Sequence, residues 1–196
     1  MQKNRAHVLR LCTDAMLAAL YVLLKSVLRI SLPPVLEISF SSLPILLAAF
    51  LFGAPDALAV AFCGSLADQI IGHGISVSTP IWMAPVLLLA VAASLPGLFA
   101  RRKYPLWRFY LYVFLAELTL TAANTAALYI DGAVWGYAVA ALTALLPARL
   151  LNGFARAVLS CVVLSPLLLA LSKSGIGRCP FRLPGHKPDD EGEEEE

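Results

Sequence analysis

Charge is scarce in this chain: Asp, Glu, Lys and Arg make up 14% of its 196 residues, against 59% hydrophobic. Soluble domains carry about 25% charged and ~45–50% apolar residues, so the composition excludes an ordinary soluble domain and points to a membrane. No Gly-x-x-x-x-Gly-Lys-Ser/Thr phosphate loop occurs, which excludes ATP hydrolysis by the usual phosphate-cradling device. No basic stripe runs along the chain, and a nucleic-acid partner is not expected. The four cysteines, Cys12, Cys63, Cys161 and Cys179, include no Cys-x-x-Cys pair; they read as buried free thiols, not as a disulfide framework or zinc site. His73 stands between glycines with no second histidine at ligand spacing, so neither a metal nor a cofactor is expected. A cleaved signal peptide is not expected, because the run after the basic Met1–Arg10 segment exceeds a ~7–15-residue signal core and lacks a small-residue cleavage site before the next turn.

What is present is a series of long apolar runs. A helix needs ~20 mostly apolar residues to cross the hydrocarbon. Leu9 to Ile30 fits and stops before Pro33-Pro34. Val35 to Phe52 reads as a second, shorter span, and Asp56 to Ile71 as a third after the Gly53-Ala-Pro-Asp56 turn. Pro80 to Ala100 is the fourth, with a kink expected at Pro85. Trp107 to Ile130 is the fifth, ended by Asp131-Gly132. Ala133 to Ala144 is too short to cross and return, so it reads as an interfacial or re-entrant helix. Leu146 to Leu171 is the sixth span, with Pro147 in its first turn. The expected fold is an all-α polytopic membrane protein: one substrate-binding domain over residues 1–172, then a basic-then-acidic tail over 173–196 that reads as disordered.

Loop charges orient the spans. Lys3, Arg5, Arg10, Arg101, Arg102, Lys103, Arg108, Lys173, Arg178, Arg182 and Lys187 fall on one side, whereas the Asp131–Ala144 segment holds no Lys or Arg. Both termini are therefore expected in the cytoplasm. In that orientation Lys25, Arg29, Glu37, Asp68, Gln69, His73, Ser76, Ser78, Thr79, Trp82, Asn124, Thr125 and Arg149 all lie in the outer half, a sidedness that suits a cavity opening outward. A charge at the bilayer centre costs ~2.5–3.5 kcal/mol or more, so Arg149 and Arg156 must be paired, wetted or used on a ligand. Arg156 and Glu117 each lie about eleven residues inside their spans, at ~16 Å depth from opposite faces, and are expected to pair. Lys25 and Arg29 have a blander reading as helix-end cations that snorkel to the interface, and Arg149 as an interface anchor or a partner of Asp131. Ala15 and Ala19 sit one turn apart in the inner half of the first span, a small-xxx-small spacing that lets another helix approach.

These features resemble the substrate-binding S component of energy-coupling factor (ECF) vitamin transporters, most of all the folate-type S components. The stretches that carry the resemblance are Leu43–Gly53, Gly64–Gly72, Asn124-Thr125 and Leu146–Leu151, in the family's order, over roughly Leu9 to Leu171. The resemblance implies a non-enzymatic subunit that binds a vitamin from outside and docks on a transmembrane scaffold subunit driven by two ATPase subunits. It places Ala15 and Ala19 on the docking face and Asn124 and Arg149 near the ligand. The chain departs from the family at Gly53-Ala-Pro-Asp56, at Ile75–Trp82, and at Ala126-Ala127 where Leu-Trp is expected.

A folate pocket needs cations for carboxylates, a flat apolar slot, and polar partners for the ring edge. Lys25, Arg29 and Arg149 supply the first, Trp82, Phe40 and Trp135 the second, and Asn124 or Asp68 the third. Pantothenate would use the same cations without the aromatics. Two other classes compete: a small intramembrane enzyme built on Asp68, His73 or Glu117, and a structural membrane protein in which Ala15 and Ala19 serve packing alone. The enzyme lacks paired-carboxylate spacing, and the one-sided polarity argues against the structural protein.

Overall fold

The computed structural model describes the backbone of residues 2–27, 29–32, 36–72, 74–99 and 105–173, and side chains within 8–27, 39–72, 74–98 and 105–171. Within these lie α1 (Gln2–Ser26), a hairpin of β1 (Arg29–Leu32) and β2 (Leu36–Ser39), α2 (Ser42–Leu51), α3 (Ala54–Gly72), α4 (Thr79–Phe99), α5 (Leu106–Trp135), α6 (Val139–Ala144) and α7 (Leu146–Lys173). By length and composition α3, α4, α5 and the 139–171 stretch of α6 and α7 are each sufficient to cross a membrane. α1 is 25 residues long, about 37 Å at ~1.5 Å per residue. The protein is an all-α, multi-pass membrane protein, with the hairpin as the one non-helical element among the described residues.

The expected second span, Val35 to Phe52, divides. Leu36-Glu-Ile-Ser39 alternates apolar and polar residues, as a strand does. It pairs antiparallel with β1 in the register Arg29↔Ser39, Ile30↔Ile38, Ser31↔Glu37 and Leu32↔Leu36. Helix begins only at Ser42 and lasts ten residues, about 15 Å. Pro44 fits there because the first turn has no intrahelical partner for its missing N–H. Every residue of α2 is buried, so α2 is apolar all round and forms a central post. It packs against α1, α3, α4 and α7. Phe50 of α2 meets Phe109 of α5 with ring centres 5.7 Å apart, and Ile45, Leu89, Leu164 and Leu168 close the core around them.

Other boundaries also move. α1 ends at Ser26, short of Ile30. α5 runs past Asp131-Gly132 to Trp135 and stops at Gly136, whose φ of 72° places it in the left-handed region glycine favours. Gly132 therefore lies in the last turn of α5, where its bare Cα receives the Leu142 side chain of α6. The segment expected to be a single interfacial helix gives its first three residues to α5 and forms α6 only over Val139–Ala144. Pro85 and Pro96 both lie within α4, and Pro166 within α7. Cys12 and Cys63 stand exposed on the bundle surface, and Cys161 is half-buried, which corrects the expectation of buried thiols: their helices are apolar on the outward faces too. Cys179, His73, the Arg101–Lys103 cluster and the tail beyond residue 173 lie outside the described residues.

Two ion pairs mark the ends of the bundle. At the turn between α2 and α3, Arg10 of α1 pairs with Asp56 and donates to the Phe52 carbonyl oxygen at 2.7 Å. At the hairpin end, Lys25 of α1 meets Asp68 of α3.

Candidate functional site

Because successive long helices alternate in direction, the last turns of α1, α3 and α5 and the first turns of α4 and α7 gather at the hairpin end. Lys25, Asp68, Ser78, Asp131 and Arg149 lie there. Lys25 Nζ donates to Asp68 Oδ2 at 2.5 Å and lies 5.7 Å from the Tyr21 ring centre. The Asp68 side chain is 12% exposed and that of Lys25 35%. Two expected ligand residues therefore hold one another, and Lys25 is anchored to a carboxylate instead of snorkelling. Tyr21, one turn earlier on α1, is buried against Gly64 of α3. A Cβ at position 64 would come within 2.9 Å of Tyr21 Cδ1, so glycine is what lets the ring lie flat on α3.

A second pair joins Arg149 and Asn124. Arg149 Nη1 donates to the Asn124 backbone carbonyl oxygen at 3.1 Å, and both residues are half-buried. Asp131, the alternative partner for Arg149, accepts instead from Ser78 Oγ at 2.5 Å. The Trp135 indole N–H donates to the same hydroxyl at 2.9 Å. Trp135 is 57% exposed, which removes it from the interior slot assigned to it; the continuation of α5 through Asp131 carries it to the bundle's edge. Trp82 is half-buried in the first turn of α4, and Phe40 is half-buried against the core. Trp82 belongs to neither polar pair. The backbone of Arg29 belongs to β1, and its side chain lies outside the described residues.

From Arg149 a polar seam runs inward between α5 and α7. Gly153, one turn on, is so close to α5 that a Cβ there would fall on the Thr121 side chain. Glu117, fully buried, is the seam's inner end. It accepts from Arg156 Nε at 2.9 Å, Ser160 Oγ at 2.8 Å and Ser42 Oγ at 2.5 Å. Arg156 Nη2 also donates to Thr121 Oγ1 at 3.2 Å. The expected Arg156–Glu117 pair forms, and the hydroxyls answer the remaining demand of a buried ion pair for hydrogen bonds. Sequence reasoning missed Ser42, Ser160 and Thr121. Ser160 and Thr121 carried a signal, each standing four residues from a charged partner on the same helix face. Ser42 carried none, because α2 was read as part of a longer span.

Ala15 and Ala19 are exposed on α1, with Met16 and Leu20 beside them. Among the described residues no three His, Cys, Asp or Glu side chains gather as a metal site would require. The chemistry on offer is recognition: cations and hydroxyl donors held in an apolar bundle, suited to an acceptor-bearing solute. A family model described as ECF transporter, substrate-specific component, matches residues 9–168. No curated protein matches the chain.

Proposed function

Because the chain belongs to the family of substrate-specific components of ECF transporters, we propose that it captures a carboxylate-bearing vitamin, folate first among them, for uptake across the cell membrane. Both termini face the cytoplasm in this reading, and the hairpin end opens outward, an orientation supported by the distribution of Lys and Arg. The proposal is supported by two polar contacts between helices, Lys25 of α1 with Asp68 of α3 and Arg149 of α7 with the Asn124 carbonyl of α5. Four helices contribute polar groups to these contacts, an arrangement suited to a polar ligand. In this reading Lys25 and Arg149 meet the carboxylates, Trp82 supplies a flat apolar wall, and Asn124 and Asp68 meet the ring edge.

The ligand-loaded subunit docks through the Ala15–Ala19 face of α1 on a transmembrane scaffold subunit that carries two ATPases. The exposure of both alanines supports this division of labour. Pantothenate is the second substrate to consider, favoured by Ala126-Ala127 beside Asn124-Thr125, where an aromatic wall is absent from the sequence. The test is uptake of labelled folate and labelled pantothenate by cells that produce the chain with an ECF module. Accumulation that needs both the chain and the module is expected. Accumulation of neither vitamin would contradict the assignment.

A further inference from the structure

At the hairpin end two connections between helices present apolar side chains where connections are usually polar. In the turn between α3 and α4, Ile75 is 80% exposed and Val77 71%. The turn itself is fixed. The Ser76 N–H donates to Thr79 Oγ1 at 2.9 Å, and the Thr79 N–H to the Ser76 carbonyl oxygen at 3.1 Å. At the corner between α5 and α6, Trp135, Tyr137 and Val139 are each more than half exposed. Leu142 is the one buried side chain of α6, seated on Gly132. No Asp, Glu, Lys or Arg occurs from Gly72 to Thr79 or from Gly132 to Ala148.

Ser78 joins the two. Its hydroxyl donates to Asp131 of α5 and accepts from the Trp135 indole N–H, so turn and corner form one surface. Because that N–H is committed inside the protein, the exposed part of Trp135 is its apolar ring, with no donor left unsatisfied. Exposed apolar patches of this kind mark a partner. Two observations identify it as lipid. Ile130 and Val134, one turn apart on α5, are exposed on one face, so the patch continues the outward surface of a membrane-crossing helix. In addition α5 is 30 residues long, about 45 Å at ~1.5 Å per residue, which matches the ~40–45 Å of a bilayer with its headgroup regions. Trp107 and Trp135 stand exposed near its two ends, as indoles do at the two membrane–water interfaces.

We propose that the α3–α4 turn and the α5–α6 corner dip together into the bilayer, at the level where headgroups meet acyl chains. Lipid, not water or protein, covers Ile75, Val77, Trp135, Tyr137 and Val139. The test uses two single-tryptophan forms of the full chain in lipid nanodiscs. One keeps Trp135 alone, through Trp82→Phe and Trp107→Phe. The other adds Trp135→Phe and Val77→Trp, which puts the reporter on the turn at an exposed position. Emission is read in phosphatidylcholine brominated on its acyl chains, and separately with aqueous iodide. Both indoles are expected to lose most of their emission in brominated lipid and much less to iodide. A larger loss to iodide than to brominated lipid at either position would place that segment in water and overturn the proposal. Insensitivity to both quenchers would mean that protein, a second copy or another chain, covers the patch, and would overturn it equally. The two reporters stand on different elements, so a form that fails to fold leaves the other to decide.

Discussion

Glu117 shows how this bundle keeps a charge inside. Its two oxygens take three donors from α2 and α7, and Arg156 balances its charge. A buried pair of this kind contributes little net stability, yet breaking it is costly because the survivor is left charged and desolvated. Glu117→Ala is therefore expected to destabilise the protein by about 3–5 kcal/mol, read as a lowered melting temperature in detergent. Adding Arg156→Leu should recover part of the loss, since it removes the stranded cation. Arg149 is a different case at the same scale. It stands in the first turn of α7 with the Asn124 carbonyl oxygen on its Nη1. If its charge meets a vitamin carboxylate, Arg149→Ala should weaken binding by ~2–5 kcal/mol in calorimetry. An unchanged affinity would make it an interface anchor. The pairing of Arg156 with Glu117 was legible in the sequence because depth from opposite faces placed both at one level. The pairing of Lys25 with Asp68 was not: each was read as facing a ligand, and nothing in residue spacing shows that two helix ends touch.

Among the elements, the contact of α5 with α7 is the tightest seam in the site. Gly153 lets the two backbones approach until Thr121 occupies the place of its missing side chain. Gly153→Val should push α7 away from α5 and cost ~1–3 kcal/mol as overpacking. Because Asn124 and Thr121 would lose their register with Arg149 and Arg156, the same variant should also weaken ligand binding, checked by thermal unfolding and calorimetry on one preparation. The long helices were legible as apolar runs, and their ends were less so. The hairpin was written in the alternation of Arg29-Ile-Ser-Leu32 and Leu36-Glu-Ile-Ser39 around Pro33-Pro34. It lay hidden because the same residues also satisfy a hydropathy window. Asp131-Gly132 resembled a stop, but a glycine inside a helix also serves a close neighbour, and here Leu142 is that neighbour.

For the whole molecule, the two ends of the bundle have different work in this account. In the proposed function the hairpin end meets the vitamin, and the exposed face of α1 meets the scaffold subunit. Changes at one should leave the other intact. Ala15→Trp with Ala19→Trp should abolish uptake in cells, because two indoles would block approach of a partner helix. Vitamin affinity of the purified variant should stay at the wild-type value, and loss of binding would contradict the separation. The family match, over residues 9–168, encloses both regions.

The central claim is that this subunit binds its vitamin alone. The most direct measurement is native mass spectrometry of the solitary purified protein, followed by calorimetry with folate and pantothenate. Retained folate, or tight one-to-one binding of either vitamin without any partner subunit, is the predicted result. A protein that retains no small molecule and binds neither vitamin would contradict the account.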